Sequence, residues 1–137
     1  AAEFAVAFGE LQYTEENAKQ RLLVRYLLMR IDQSVRKHGA VDYEKMSIEH
    51  IAPQNPKPGE GSTPTNVGKL GNLILAPETL NNEVLANKPF AKKRAAYKKA
   101  HLSIDSVLDG ATTWGMPEIE ARTTALAALV QEKVFRV

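Results

Sequence analysis

Cysteine is absent from the 137-residue chain. That excludes a disulfide framework and any zinc site built on thiolates, and since nothing demands an oxidising compartment the cytoplasm is the expected location. Long apolar runs are missing too: no stretch approaches the ~20 residues a membrane helix needs, and the N-terminus has no basic region followed by an apolar core. Charge of one sign is scarce in sum. The 18 basic and 16 acidic residues leave a net +2, too little to announce a nucleic-acid binder unless the distribution is uneven. Internal repeats and low-complexity tails are lacking as well. What remains is one domain, residues 1–137, large enough for a single core without covalent staples. Its opening AAEF is compatible with vector-derived residues ahead of a domain excised from a longer protein.

Thr14 followed by Glu15 and Glu16 has the form of an N-cap with acids in the first helical turn. Leu23, Leu27 and Ile31, with Val24, Leu28 and Val35 beside them, then make one broad apolar face, and Arg36, Lys37 and His38 precede Gly39 as a cationic helix end. The pattern predicts a helix over about 15–38. Lys45 to Ile51 reads as a short strand. Pro53, Pro56, Pro58 and Pro64, with Gly59, Gly61 and Gly68, exclude helix and central strand from 52 to 70 and predict a long loop of the length that is functional or mobile. GNLILA, residues 71–76, is a second strand closed by Pro77, followed by a short helix to about Leu85. Two such strands cannot stand alone, so helices must cover them. A basic helix over about 89–100 and a C-terminal helix over about 117–135, packed through Ile119, Leu126, Leu129 and Val130, complete the elements. Trp114 is expected to plug the core. The fold class is α+β, mostly helical.

The chemistry-bearing residues cluster in the middle: Glu49 and His50 at the end of the first strand, Asn72 opening the second, Asn81 and Asn82 in the helix after it. A ββα unit bringing a histidine and asparagines to one small cleft suits hydrolysis of a phosphodiester. A neutral imidazole takes the proton of the attacking water, and one divalent cation, Mg²⁺ or Mn²⁺, is held by oxygen ligands because these ions are hard.

EHIAPQ in residues 49–54, LGNLIL in 70–75, Asn81 and NKPFAKK in 87–93 together resemble the HNH (His-Me finger) nucleases, in particular the C-terminal nuclease domains of GmrSD-type modification-dependent restriction enzymes and the SspE-like defence proteins. The resemblance implies a ββα-metal core over about 45–85, with His50 activating water, Glu49 and Asn81 holding the metal, and Asn72 orienting the His50 loop and its imidazole through backbone hydrogen bonds. Asn81 stands nine residues after Asn72, which suits the family pattern better than Asn82 does. It further implies cleavage or nicking of double-stranded DNA in prokaryotic restriction or antiviral defence, and an upstream NTP-dependent sensor domain as partner.

Between Asn87 and His101 lie Lys88, Lys92, Lys93, Arg94, Lys98 and Lys99 and no acid. Charge concentrated in this way attracts a phosphate backbone. Lys88, Lys92, Lys93 and Lys98 are the expected DNA contacts, Lys93 at the site itself by the resemblance, while Phe90 and Tyr97 anchor the helix to the core. The rival expectation is an inactive HNH scaffold that binds DNA or docks another domain without cutting.

Overall fold

The computed structural model describes residues 2–36, 41–55, 63–80 and 88–135. In chain order these form α1 (Ala2–Glu10), α2 (Arg21–Val35), β1 (Met46–His50), β2 (Leu73–Pro77), α3 (Glu78–Leu80), α4 (Phe90–Lys99), α5 (Ser106–Gly110) and α6 (Met116–Leu129), the last running on into a π-helical turn, Val130–Val134. Among the described residues no helix is long and apolar enough to cross a membrane.

β1 and β2 pair antiparallel, with Met46 opposite Pro77 and His50 opposite Leu73. Leu73, Ile74, Leu75 and Ala76 are all buried, as a ribbon covered on both faces requires. Val24, Leu27, Leu28 and Ile31 of α2, Tyr97 of α4 and Leu126 and Val130 at the C-terminal end supply the covering core.

α2 departs from the predicted helix. Thr14 does accept the Asn17 amide through its hydroxyl, but the turn stops there, because Tyr13 N–H is taken by the Gly68 carbonyl in a bridge to the loop ahead of β2. The helix therefore begins at Arg21 and ends at Val35, with Arg36 in extended backbone and ion-paired to Asp32; the expected Gly39 cap lies outside the described residues. Its buried row runs through Val24, not Leu23, which is exposed with Leu22 and Tyr26. Ahead of α2, residues 2–10 form α1, where Phe8 is buried and Phe4 packs on the core.

Gly71 marks the closest approach between the ribbon and α6. Its N–H donates to Thr123 Oγ1, and a Cβ placed on it would lie 2.1 Å from the Ile119 carbonyl oxygen and 2.2 Å from Thr123 Oγ1. Gly71→Ala is therefore expected to destabilise the fold by about 3 kcal/mol, the upper end for an overpacked site. A urea titration reads this directly, and a midpoint equal to wild type contradicts it.

Candidate active site

β1 delivers Glu49 and His50 at its C-terminal end, and because successive residues of a strand leave on opposite sides their side chains meet different surroundings. The His50 imidazole, 8% exposed, stacks on Tyr13 with ring centroids 5.8 Å apart. Its Nε2 lies 2.8 Å from the Tyr13 carbonyl oxygen. A carbonyl only accepts, so Nε2 carries the hydrogen and Nδ1 holds the lone pair. The amide nitrogen of Gln54 stands 3.4 Å from Nδ1, oriented that way because Gln54 Oε1 accepts the Glu15 N–H at 2.7 Å. Burial holds the imidazole below its ordinary pKa; the Tyr13 carbonyl opposes this, the Lys93 ammonium adds to it, and Glu15 opposes it.

Glu49 faces α4. Tyr97 OH donates to its Oε2 at 2.8 Å, and Lys93 Nζ is 3.3 Å from the same oxygen. Burial raises the carboxyl pKa, an effect that Lys93 and then Tyr97 partly offset. Tyr97 is itself pushed well above the usual phenol range by burial and by the neighbouring carboxylate. Tyr97 and Lys93 lie four residues apart on one face of the helix, which is why both reach the strand.

Asn72 is fully buried. Its Oδ1 accepts from Ala52 N–H at 2.8 Å and from Trp114 Nε1 at 3.0 Å. Its Nδ2 donates to the carbonyls of Ala52 at 3.0 Å and Val67 at 2.8 Å. With Ile51 N–H on its own carbonyl, Asn72 fastens the chain just after His50 to the start of β2. Trp114 is half-buried, stacked on Phe90 at 5.2 Å and packed against the core as expected, and it also serves as a donor at this junction.

The expected metal ligands are not both in view. Asn81, and with it Asn82, lies outside the described residues, and among the described residues no three histidine, aspartate or glutamate side chains gather round one point. Of the two expected ligands Glu49 is the one described, a buried carboxylate. The donor chemistry suits a hard cation as far as it goes: an anionic oxygen whose burial is only partly offset still favours added positive charge, and such ions complete their shells with water.

The basic helix divides. Lys88, Lys92, Lys98 and Lys99 are exposed, whereas Lys93 is buried. Lys98 pairs with Asp109 at 2.6 Å, and one Arg94 nitrogen donates to the Asp109 and Ala111 carbonyls at 3.0 and 2.6 Å. An acid absent from the helix sequence, Asp109, thus arrives from α5. The expectation that Lys93 touches phosphate does not fit its placement, since its ammonium is turned inward onto Glu49 and the carbonyls of His50 and Ile51.

Sequence reasoning missed three contributors. Tyr13 and Gln54 flank the imidazole, and the only hint of Gln54 was its place in EHIAPQ. Arg122 is buried in α6, paired with Asp105 at 2.7 Å and donating to the Gly71 and Leu73 carbonyls. Nothing in the α6 sequence distinguishes it from an exposed helical arginine.

Residues 2–129 match the family described as GmrSD restriction endonucleases, C-terminal domain. No curated protein matches the chain.

Proposed function

Since the chain belongs to the family of GmrSD restriction endonuclease C-terminal domains, the nuclease domains of restriction enzymes, we propose that it is a metal-dependent HNH-type endonuclease that nicks or cleaves double-stranded DNA, with His50 as general base. One observation carries this reading. The Tyr13 carbonyl commits the imidazole to the tautomer with its lone pair on Nδ1, and burial favours the neutral ring, which supports the reading of His50 as a base at neutral pH.

In the proposed reaction a water displaces the Gln54 amide from Nδ1 and gives its proton to that nitrogen as its oxygen attacks phosphorus. The imidazolium that results keeps its Nε2–H on the Tyr13 carbonyl, which stabilises the new charge. A bound Mg²⁺ or Mn²⁺ would neutralise charge on the phosphate and the departing oxygen. Glu49, through the carboxylate oxygen not shared by Tyr97 and Lys93, and Asn81 are the residues proposed to hold it. Asn72 keeps the His50 loop in register, and Lys88, Lys92 and Lys98 are the proposed contacts to the DNA backbone. An upstream NTP-dependent sensor domain would supply recognition of modified DNA in restriction or antiviral defence.

Incubating supercoiled plasmid with the domain over a panel of divalent ions tests this. Open-circle or linear product is expected with Mg²⁺ or Mn²⁺ and none in excess chelator; plasmid that is bound but never cut establishes the inactive scaffold instead. The pH profile is a sharper check. A base must be unprotonated, so the rate falls as pH drops through the His50 pKa, and because burial lowers that pKa the midpoint is expected below the ~6.5 of a free imidazole. A midpoint above 6.5 removes His50 from the role.

A further inference from the structure

We infer that Lys93 is a positioning residue for the reaction at His50: a buried cation that fixes residues 49–51, and not a contact to DNA. The inference rests on the nuclease reading above and gives the basic helix a second task.

Lys93 is 2% exposed. Its Nζ lies 3.0 Å from the His50 carbonyl oxygen, 3.1 Å from that of Ile51 and 3.3 Å from Glu49 Oε2. Two carbonyl oxygens accept from the ammonium and a carboxylate oxygen pairs with its charge, all from three consecutive residues, which turns it inward and away from a phosphate.

The chemistry of the acceptors explains why a lysine stands there. Two buried carbonyls need donors, and a buried carboxylate needs positive charge; a tetrahedral ammonium supplies both from one atom. A planar guanidinium has its donors in a rigid fork suited to a flat, bidentate partner, not to three acceptors strung along a turn. One residue further on, the Asn72 amide holds both the N–H and the carbonyl of Ala52. The peptide units carrying the imidazole are therefore clamped by α4 and by the start of β2, and the direction of Nδ1 depends on both clamps.

The neighbouring Lys92 is exposed and serves as the internal comparison. Lys93→Met is expected to leave plasmid affinity and its salt dependence unchanged, whereas Lys92→Ala reduces the slope of log affinity against log salt by ~1. In Lys93→Met the nicking rate at saturating DNA falls roughly 10- to 100-fold, as for a group that orients a reacting side chain from behind. Nitrogen-15 spectra of the His50 ring should show one tautomer in wild type and averaging of two in the variant. An unchanged ring spectrum overturns the inference, whether it comes with a shallower salt slope, which makes Lys93 a phosphate contact, or with lowered stability alone.

If Lys93→Met does not fold, the cysteine-free chain offers a second route. Lys93→Cys, alkylated while unfolded and then refolded, regains an ammonium of lysine length with bromoethylamine and a neutral amide with iodoacetamide. The single-tautomer spectrum should return only with the ammonium; its return with the neutral adduct also overturns the inference. Should wild type fail to cut plasmid with any ion, the nuclease reading falls, and the ring spectra still decide the role of Lys93.

Discussion

His50→Ala is expected to lower the plasmid nicking rate by roughly 10²–10⁴-fold, the usual contribution of a positioned general base, with little change in DNA affinity. The specificity of the outcome follows from the site. Nδ1 is the ring atom with a lone pair once Nε2 is committed to the Tyr13 carbonyl, and alanine removes it while leaving the exposed lysines of α4 in place. Imidazole added to the buffer should restore part of the lost rate, since truncation opens space beside Tyr13 where the ring stacked. Equal nicking by wild type and His50→Ala would mean that the base lies elsewhere. Some loss of stability is expected as well, because the ring is 92% removed from solvent by the same packing that leaves it 8% exposed; a thermal midpoint measured alongside separates the two effects.

Asn72→Leu is expected to produce the largest loss of stability, about 4–6 kcal/mol, and with it loss of all activity. Leucine matches asparagine in shape but neither donates nor accepts. The change strands Ala52 N–H, the Ala52 and Val67 carbonyls and Trp114 Nε1, each of which now bonds the Asn72 amide. A buried polar group left without a partner costs about 1–3 kcal/mol, and Trp114, only half-buried, lies at the low end. Chemical denaturation gives the number. A loss under about 2 kcal/mol would show that water or a shifted loop replaces the amide. Asn72→Asp divides the effect: the acceptor bonds to Ala52 and Trp114 survive, while a carboxylate is placed against two carbonyls that need a donor.

The two strands, the described parts of the loop between them and the three larger helices after α1 were legible because each announces itself locally. A period of 3.6 marks α2 and α6, Pro77 and Gly71 bracket β2, and Pro117 opens α6. Where local signals misled, a long-range bond had taken precedence. Thr14 carries an N-cap pattern, yet the bridge from Tyr13 to Gly68 diverts the segment across His50, and the helix starts later. Lys93 sits in a run of exposed lysines, and only the positions of Phe90 three residues before it and Tyr97 four residues on indicated that this face turns inward.

By itself the sequence determined the two strands, the larger helices after α1, the family and the residue types available for chemistry, a histidine after a carboxylate at a strand end and an asparagine opening the next strand; α1 and α5 were not read from it. Composition, periodicity and motif spacing are properties of neighbouring residues, so they survive without a fold. Tertiary structure alone decided which ring nitrogen of His50 holds the lone pair, which lysine is buried and which acids pair with Lys93 and Lys98. Those outcomes depend on groups 37 residues away at Tyr13 and 42 and 43 residues away at Lys93, and hydrogen bonding and burial at such separations are set only when the chain has packed.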